Sequence, residues 1–143
     1  MFALHPQLLA DCVDVGRFPL GRLLLMKDGN YPWFILVPQR EDVAEIFQLD
    51  DADRRQLLDE SCHLAEVLKD VFAADKLNIA ALGNMVPQLH LHHVVRYRSD
   101  AAWPAPVWGR LPPAECGDEL IAQRIDRLRG VLGLGFCFNG DVQ

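Results

Sequence analysis

The chain has 143 residues, an apolar fraction of 50% and a net charge of −6. Its length suits a single domain, residues 1–143, with a real hydrophobic core, and its negative balance argues against a binder of nucleic-acid polymers, which carries a basic face. No apolar run approaches the roughly 20 residues of a membrane span, and the start Met1-Phe-Ala-Leu-His-Pro6 lacks the pattern of a signal peptide, so a cytoplasmic protein without membrane attachment is expected.

The segment His5 to Val13 predicts a short helix, with Leu8, Leu9 and Cys12 on one side. Gly21 to Lys27 is a compact apolar run, and Trp33 to Val37 is rich in aromatic and β-branched residues. The turn chemistry of Asp28-Gly29-Asn30 between them predicts an antiparallel hairpin. Asp50 to Ala74 reads as the main helix, capped by Asp50 or Asp51. Leu57, Leu58, Cys62, Leu64, Ala65, Leu68, Val71 and Phe72 form its apolar stripe. Two further strands follow, Leu77 to Leu82 and Gln88 to Tyr97, joined through Gly83-Asn84-Met85-Val86-Pro87.

Beyond them lies a stiff loop, Ala101 to Gly109, carrying Trp103 and Trp108. Asp118 to Leu132 predicts a last helix, with Ile121, Ile125, Leu128 and Leu132 inward, and the tail holds Phe136 and Phe138. The fold class expected is α+β: an antiparallel sheet, one long helix after the second main strand, and a C-terminal helical extension. The four cysteines, Cys12, Cys62, Cys116 and Cys137, have no C-x-x-C spacing and read as reduced thiols.

The chemistry concentrates in Gln88-Leu-His-Leu-His-His-Val-Val-Arg96. On a strand, Gln88, His90 and His92 share one face, while Leu89, Leu91, His93 and Val95 share the other. A core strand does not need an amide and two imidazoles in a row, so the first face reads as a working face. Imidazole titrates near neutral pH, so one can attack phosphorus while its neighbour serves the leaving oxygen. A zinc site is the competing reading, but the strand offers no further Cys, Asp or Glu; no metal and no cofactor are expected. His93 reads as structural. Arg96 and Arg98 fall by parity on the working face, either steering an anionic ligand or standing as solvated strand-end charges.

This stretch resembles the signature of the histidine triad (HIT) superfamily, His-φ-His-φ-His-φ-φ with φ apolar, following a glycine-containing turn that here is Gly83-Asn84. Ile35-Leu-Val-Pro-Gln-Arg40 and the long helix after it also resemble the family, over about residues 20–98, leaving 99–143 as a C-terminal extension. The segment 100–109 looks like a bacterial branch, diadenosine polyphosphate hydrolase-like, in which glutamine opens the signature. The resemblance implies that His90 attacks the α-phosphorus and forms a nucleotidyl-histidine. It implies that His92 contacts phosphate and leaving oxygen, that Asn84 with Gly83 binds phosphate oxygens, and that base and ribose lie near Leu24, Met26 and Asp28. Two departures stand out: Gln88 replaces the first histidine and cannot titrate, and Trp33 falls where many members carry another histidine.

The resemblance further implies a nucleotide or dinucleotide substrate, hydrolase or nucleotidyl transferase activity, and a homodimer whose sheets join edge to edge. A nucleotide-binding or interaction module with little catalysis is the alternative. The Trp103 and Trp108 loop reads as a lid or, preferably, as packing against the partner subunit, with Phe136, Phe138 and Val142 joining it.

Overall fold

The computed structural model describes residues 1–141. Helix α1 (Pro6–Asp11) is capped by His5, whose Nδ1 accepts from the Gln7 amide. The chain then passes directly into strand β1 (Cys12–Arg17), antiparallel to β2 (Gly21–Met26). The helix expected through Val13 stops at Asp11 and gives way to this strand, which the sequence pattern does not announce. Its alternation is short, and the ladder shifts register between Asp14 and Gly16, which breaks the period of two. A Cβ on Gly16 would lie 2.2 Å from the Cys137 carbonyl oxygen, so glycine lets the two-residue strand β6 (Cys137–Phe138) close against β1.

The expected hairpin forms between β2 and β3 (Trp33–Pro38), with Pro32 just ahead of the second strand. Helix α2 (Asp51–Val71) starts as the capping argument requires: Asp50 accepts from the Asp53 amide at 2.8 Å. Its buried stripe differs from the apolar one expected. Leu58 and Cys62 are exposed, while Glu60 and Ser61 are buried beside Leu57, Leu64 and Leu68. The sheet supplies what these polar groups need. Glu60 accepts from the Leu20 and Gly21 amides at 2.9 and 2.7 Å, and Ser61 Oγ lies 2.7 Å from His93 Nε2.

Strands β4 (Lys76–Ala80) and β5 (Leu91–Arg96) complete a six-stranded antiparallel sheet, ordered β4-β5-β3-β2-β1-β6. Helix α3 (Asp118–Asp126) ends short of the expected Leu132, yet Leu128 and Leu132 remain buried in the turns that follow. The architecture is α+β. One face packs Leu23, Leu25, Phe34, Leu36 and Val95 against Leu57, Leu64 and Leu68 of α2. The other face gathers Leu24, Ile35, Val37 and Val94 under Leu8, Ala102 and Val107. Among the described residues no helix is long and apolar enough to cross a membrane. The cysteines are free thiols, and burial pushes Cys12 up to about 12.

The aromatic tail and the tryptophan loop both pack onto the body of their own chain. Phe136 packs edge-on against Phe18 and Phe138, each at 4.8 Å. Trp108 packs on Trp33 at 5.9 Å, and Trp103 lies under the Arg96 guanidinium. Val142 lies outside the described residues.

Candidate active site

The ladder of β5 begins at Leu91, so His90 stands just before it; Leu89, expected within the strand, gives its amide to the Val43 carbonyl instead. Alternation nonetheless holds. The rings of His90 and His92 lie 4.8 Å apart at 70°, while His93 points to the α2 side, between Ser61 Oγ and the Leu91 carbonyl. His90 Nδ1 lies 2.8 Å from the Gln88 carbonyl oxygen. A carbonyl only accepts, so Nδ1 carries the proton and Nε2 keeps its lone pair. Trp33 Nε1 donates to His92 Nδ1 at 3.0 Å, and the Trp108 ring meets the same imidazole edge-on at 5.3 Å.

Burial, reinforced by His90 and His93, pushes His92 down to about 3. Burial likewise pushes His93 down to about 4. Both imidazoles are therefore neutral at physiological pH. The Nε2 lone pair of His90, beside the neutral imidazole of His92, can attack an electrophilic phosphorus.

The Gln88 amide does not face this pair as an open donor. Its Oε1 accepts from the His5 amide and its Nε2 donates to the Ala3 carbonyl, each at 2.9 Å. The side chain thus serves the N-terminal segment, and it is the backbone carbonyl of Gln88 that touches the site. Arg96 is also otherwise engaged. Its Nε and Nη2 bind both carboxylate oxygens of Asp100 at 2.8 and 3.0 Å, Nη1 binds Asn78 Oδ1, and Nη2 binds the Ala105 carbonyl. Both ends of the pair are buried, at 1% and 3% exposure. Arg96 is therefore no solvated strand end: Asp100, Asn78 and the Ala105 carbonyl take four of its hydrogen bonds. For Asp100, burial alone would raise its pKa. The Arg96 hydrogen bonds and the amides of Tyr97 and Trp103 outweigh burial and hold it below the usual carboxylate range.

Two hollows flank the imidazoles. A narrow one against His90 is lined by Ala44, Glu45, Leu82 and Gly83, with exposed Asn84 next on the same turn. Gly83 takes φ +76°, a conformation that favours glycine. The second is a recess of about 360 Å³ lined by Ala10, Met26, Lys27, Asp28, Trp33, Val107 and Trp108. Met26 and Asp28 thus line one recess together, whereas Leu24 is packed into the core cluster and lines neither hollow. Trp33 and Trp108 join the recess to the histidines, since both line it and both touch His92.

Asp28 is held from behind: its Oδ1 accepts from the Asn30 and Ala114 amides, and Arg124 donates to its carbonyl at 2.6 Å. Sequence reasoning missed Arg124 and Asp100 as parts of this neighbourhood, and it named Trp108 only through the lid reading of its loop. Each acts across a loop whose path carries no periodic signal. Trp33 was more accessible, since it opens the strand that the hairpin sets beside the histidines. Among the described residues no group of three or more His, Cys, Asp or Glu converges as a metal shell.

The HIT domain family matches residues 9–99. Among solved structures, a histidine triad protein from Bradyrhizobium japonicum is 45% identical, with 92% of this chain and 98% of that chain covered and a TM-score of 0.90. One from Marinobacter aquaeolei VT8 is 48% identical, covering 92% and 96% with a TM-score of 0.89. One from Sinorhizobium meliloti 1021 is 39% identical, covering 89% and 94% with a TM-score of 0.87. No curated protein matches the chain. The family match spans more than half of the sequence, and the solved relatives repeat the fold over nearly all of it: the chain belongs to the HIT domain family.

Proposed function

We propose that this protein hydrolyses or transfers a nucleoside phosphoryl group through a covalent nucleotidyl-histidine on His90. HIT domain proteins are generally nucleotide-binding hydrolases or transferases. The observation that carries the reading is the His90 ring: Nδ1 is tied to the Gln88 carbonyl, and Nε2 is left with its lone pair beside His92. In the first step Nε2 forms a bond to phosphorus, and the bond to the leaving group breaks with its electron pair on that group. In the second step water forms the new P–O bond, the N–P bond returns its pair to Nε2, and the water's proton passes to solvent.

His92 and the Gly83–Asn84 turn support the phosphate oxygens as charge builds, and the Gln88 backbone, not its amide, aligns the nucleophile. The recess walled by Trp33 and Trp108 takes the nucleoside, with Met26 and Asp28 facing base and ribose. Dinucleoside polyphosphates and nucleoside phosphoramidates are the candidate substrates. The proposed homodimer joins at β4, whose outer edge is unpaired among the described residues and leaves Ile79 47% exposed.

The test is a time course on adenosine and guanosine phosphoramidates and dinucleoside polyphosphates, beside His90→Ala and His90→Gly. Turnover by the parent and loss in both variants supports the reading, and acid quenching should trap nucleotide on His90. The engaged Gln88 amide favours the alternative, a nucleotide-binding module, because it removes one phosphate donor. Tight nucleotide binding with no turnover and no label on His90 would establish that alternative.

A further inference from the structure

We propose that Trp33 is the positioning residue that holds His92 as a neutral donor through Nε2, and that it thereby favours leaving groups that depart as phosphate anions over amines that must first take a proton. The inference rests on the proposed function for its chemistry, but its first observation is independent of turnover. An indole N–H can only donate. With Trp33 Nε1 at 3.0 Å, His92 Nδ1 must be the acceptor, so a neutral ring carries its proton on Nε2.

The ring is held in that orientation on several sides. Trp33 packs against it at 5.6 Å, Trp108 at 5.3 Å and His90 at 4.8 Å, all edge-on. Turning the imidazole over would set a carbon against the indole N–H and leave that buried donor unpaired. The two histidines are thus made complementary by two different acceptor and donor choices. A backbone carbonyl makes His90 present a lone pair, and an indole makes His92 present a proton.

The consequence lies in the proton balance. A neutral His92 can donate a hydrogen bond to an oxygen on which charge grows. It cannot hand over its proton without becoming an imidazolate, an anion in a buried aromatic site. When the leaving group is a nucleotide phosphate, the P–O bond breaks with its electron pair on oxygen, and the anion departs without needing the proton. When it is an amine, the nitrogen leaving phosphorus with its pair needs a proton that His92 does not supply. The downward shift of His92 acts in the same direction, since it keeps the ring from becoming the cation that would serve as an acid.

The experiment begins with ligand-free, nitrogen-15-labelled protein. Histidine ring spectra should report His92 as the Nε2–H tautomer, and a nitrogen–nitrogen coupling across the hydrogen bond should join it to the Trp33 indole. In Trp33→Phe the tautomer should become mixed. Kinetics follow with diadenosine tetraphosphate and adenosine 5′-phosphoramidate, which present the same adenylyl group with different leaving groups. The parent should prefer the anhydride, and Trp33→Phe should lower kcat/KM on it about fivefold, the size expected for one neutral hydrogen bond, while narrowing the preference.

An Nδ1–H tautomer in the parent, a missing coupling, or a tautomer indifferent to Trp33→Phe overturns the inference. A shifted tautomer with an unchanged preference overturns its leaving-group half. If Trp33→Phe does not fold, the coupling in the parent decides alone. If the spectra are as expected but His90→Ala turns over like the parent, the proposed function fails while the hold of Trp33 on His92 stands.

Discussion

Arg96→Met tests whether the arginine beside the histidines anchors a loop or meets a ligand. In the parent the guanidinium makes two hydrogen bonds to Asp100, one to Asn78 and one to the Ala105 carbonyl, and it lies over the Tyr31 and Trp103 rings at 5.7 and 5.5 Å. Methionine keeps the apolar stem and removes the charge. Asp100 would retain the Tyr97, Ala102 and Trp103 amides but lose its counter-charge. Stripping one partner from a buried pair typically costs about 3–5 kcal/mol, and the surviving amide bonds place this case near the lower end.

Urea unfolding at neutral pH should therefore show a lower midpoint at unchanged slope. Arg96→Met with Asp100→Asn should recover part of the loss, since no unpaired charge remains. Because the loop ends in Val107 and Trp108, which wall the recess, KM should rise in step with the lost stability. A loss below about 1 kcal/mol with a tenfold rise in KM would refute the reasoning, for it would mean that Arg96 contacts the ligand.

Gln88→Leu should release the N-terminal segment, seen as faster amide exchange at His5, while the Gln88 carbonyl still orients His90 and kcat falls by less than about tenfold; a far larger loss would return the amide to the phosphate. Glu60→Ala should cost about 2–4 kcal/mol in chemical denaturation, because the Leu20 and Gly21 amides lose their acceptor. His92 and His93 are depressed in the folded state, to about 3 and about 4. Stability should thus be full above the unfolded-state value of about 6.5 and decline as pH falls from there through the folded values, by up to about 1.4 kcal/mol per pH unit for each group. His93→Gln should remove one proton's worth of that slope between about pH 6 and 4; unfolding curves with the parent's slope would contradict its burial as a neutral base.

Much of the site was legible because strand alternation is a local rule. It separated His90 and His92 from His93, and it put Arg96 on the correct face. It does not reveal who waits on that face. The Asp100 carboxylate returns from a loop four residues on, and the Gln88 amide is met by backbone 83 and 85 residues away. Hydrogen-bond partners of that kind are settled by tertiary packing, which periodicity does not encode. Strand β1 escaped notice for a local reason, since its register shift interrupts the pattern by which strands are recognised. The stripe of α2 misled where Glu60 and Ser61 occupy core positions, because their acceptors and donors come from the sheet.

The opposed placement of His92 and His93 also bears on how this sequence can change over time. Substitutions along β5 alter one contact each, but a single-residue insertion or deletion there turns every following side chain over. An insertion just after His90 would carry His92 toward the hydrocarbon packing under α2 and bring Leu91 out beside His90. Length variation among descendants of this chain should therefore fall outside this strand, while the segment from Gln88 to Arg96 keeps its spacing even where its residues drift.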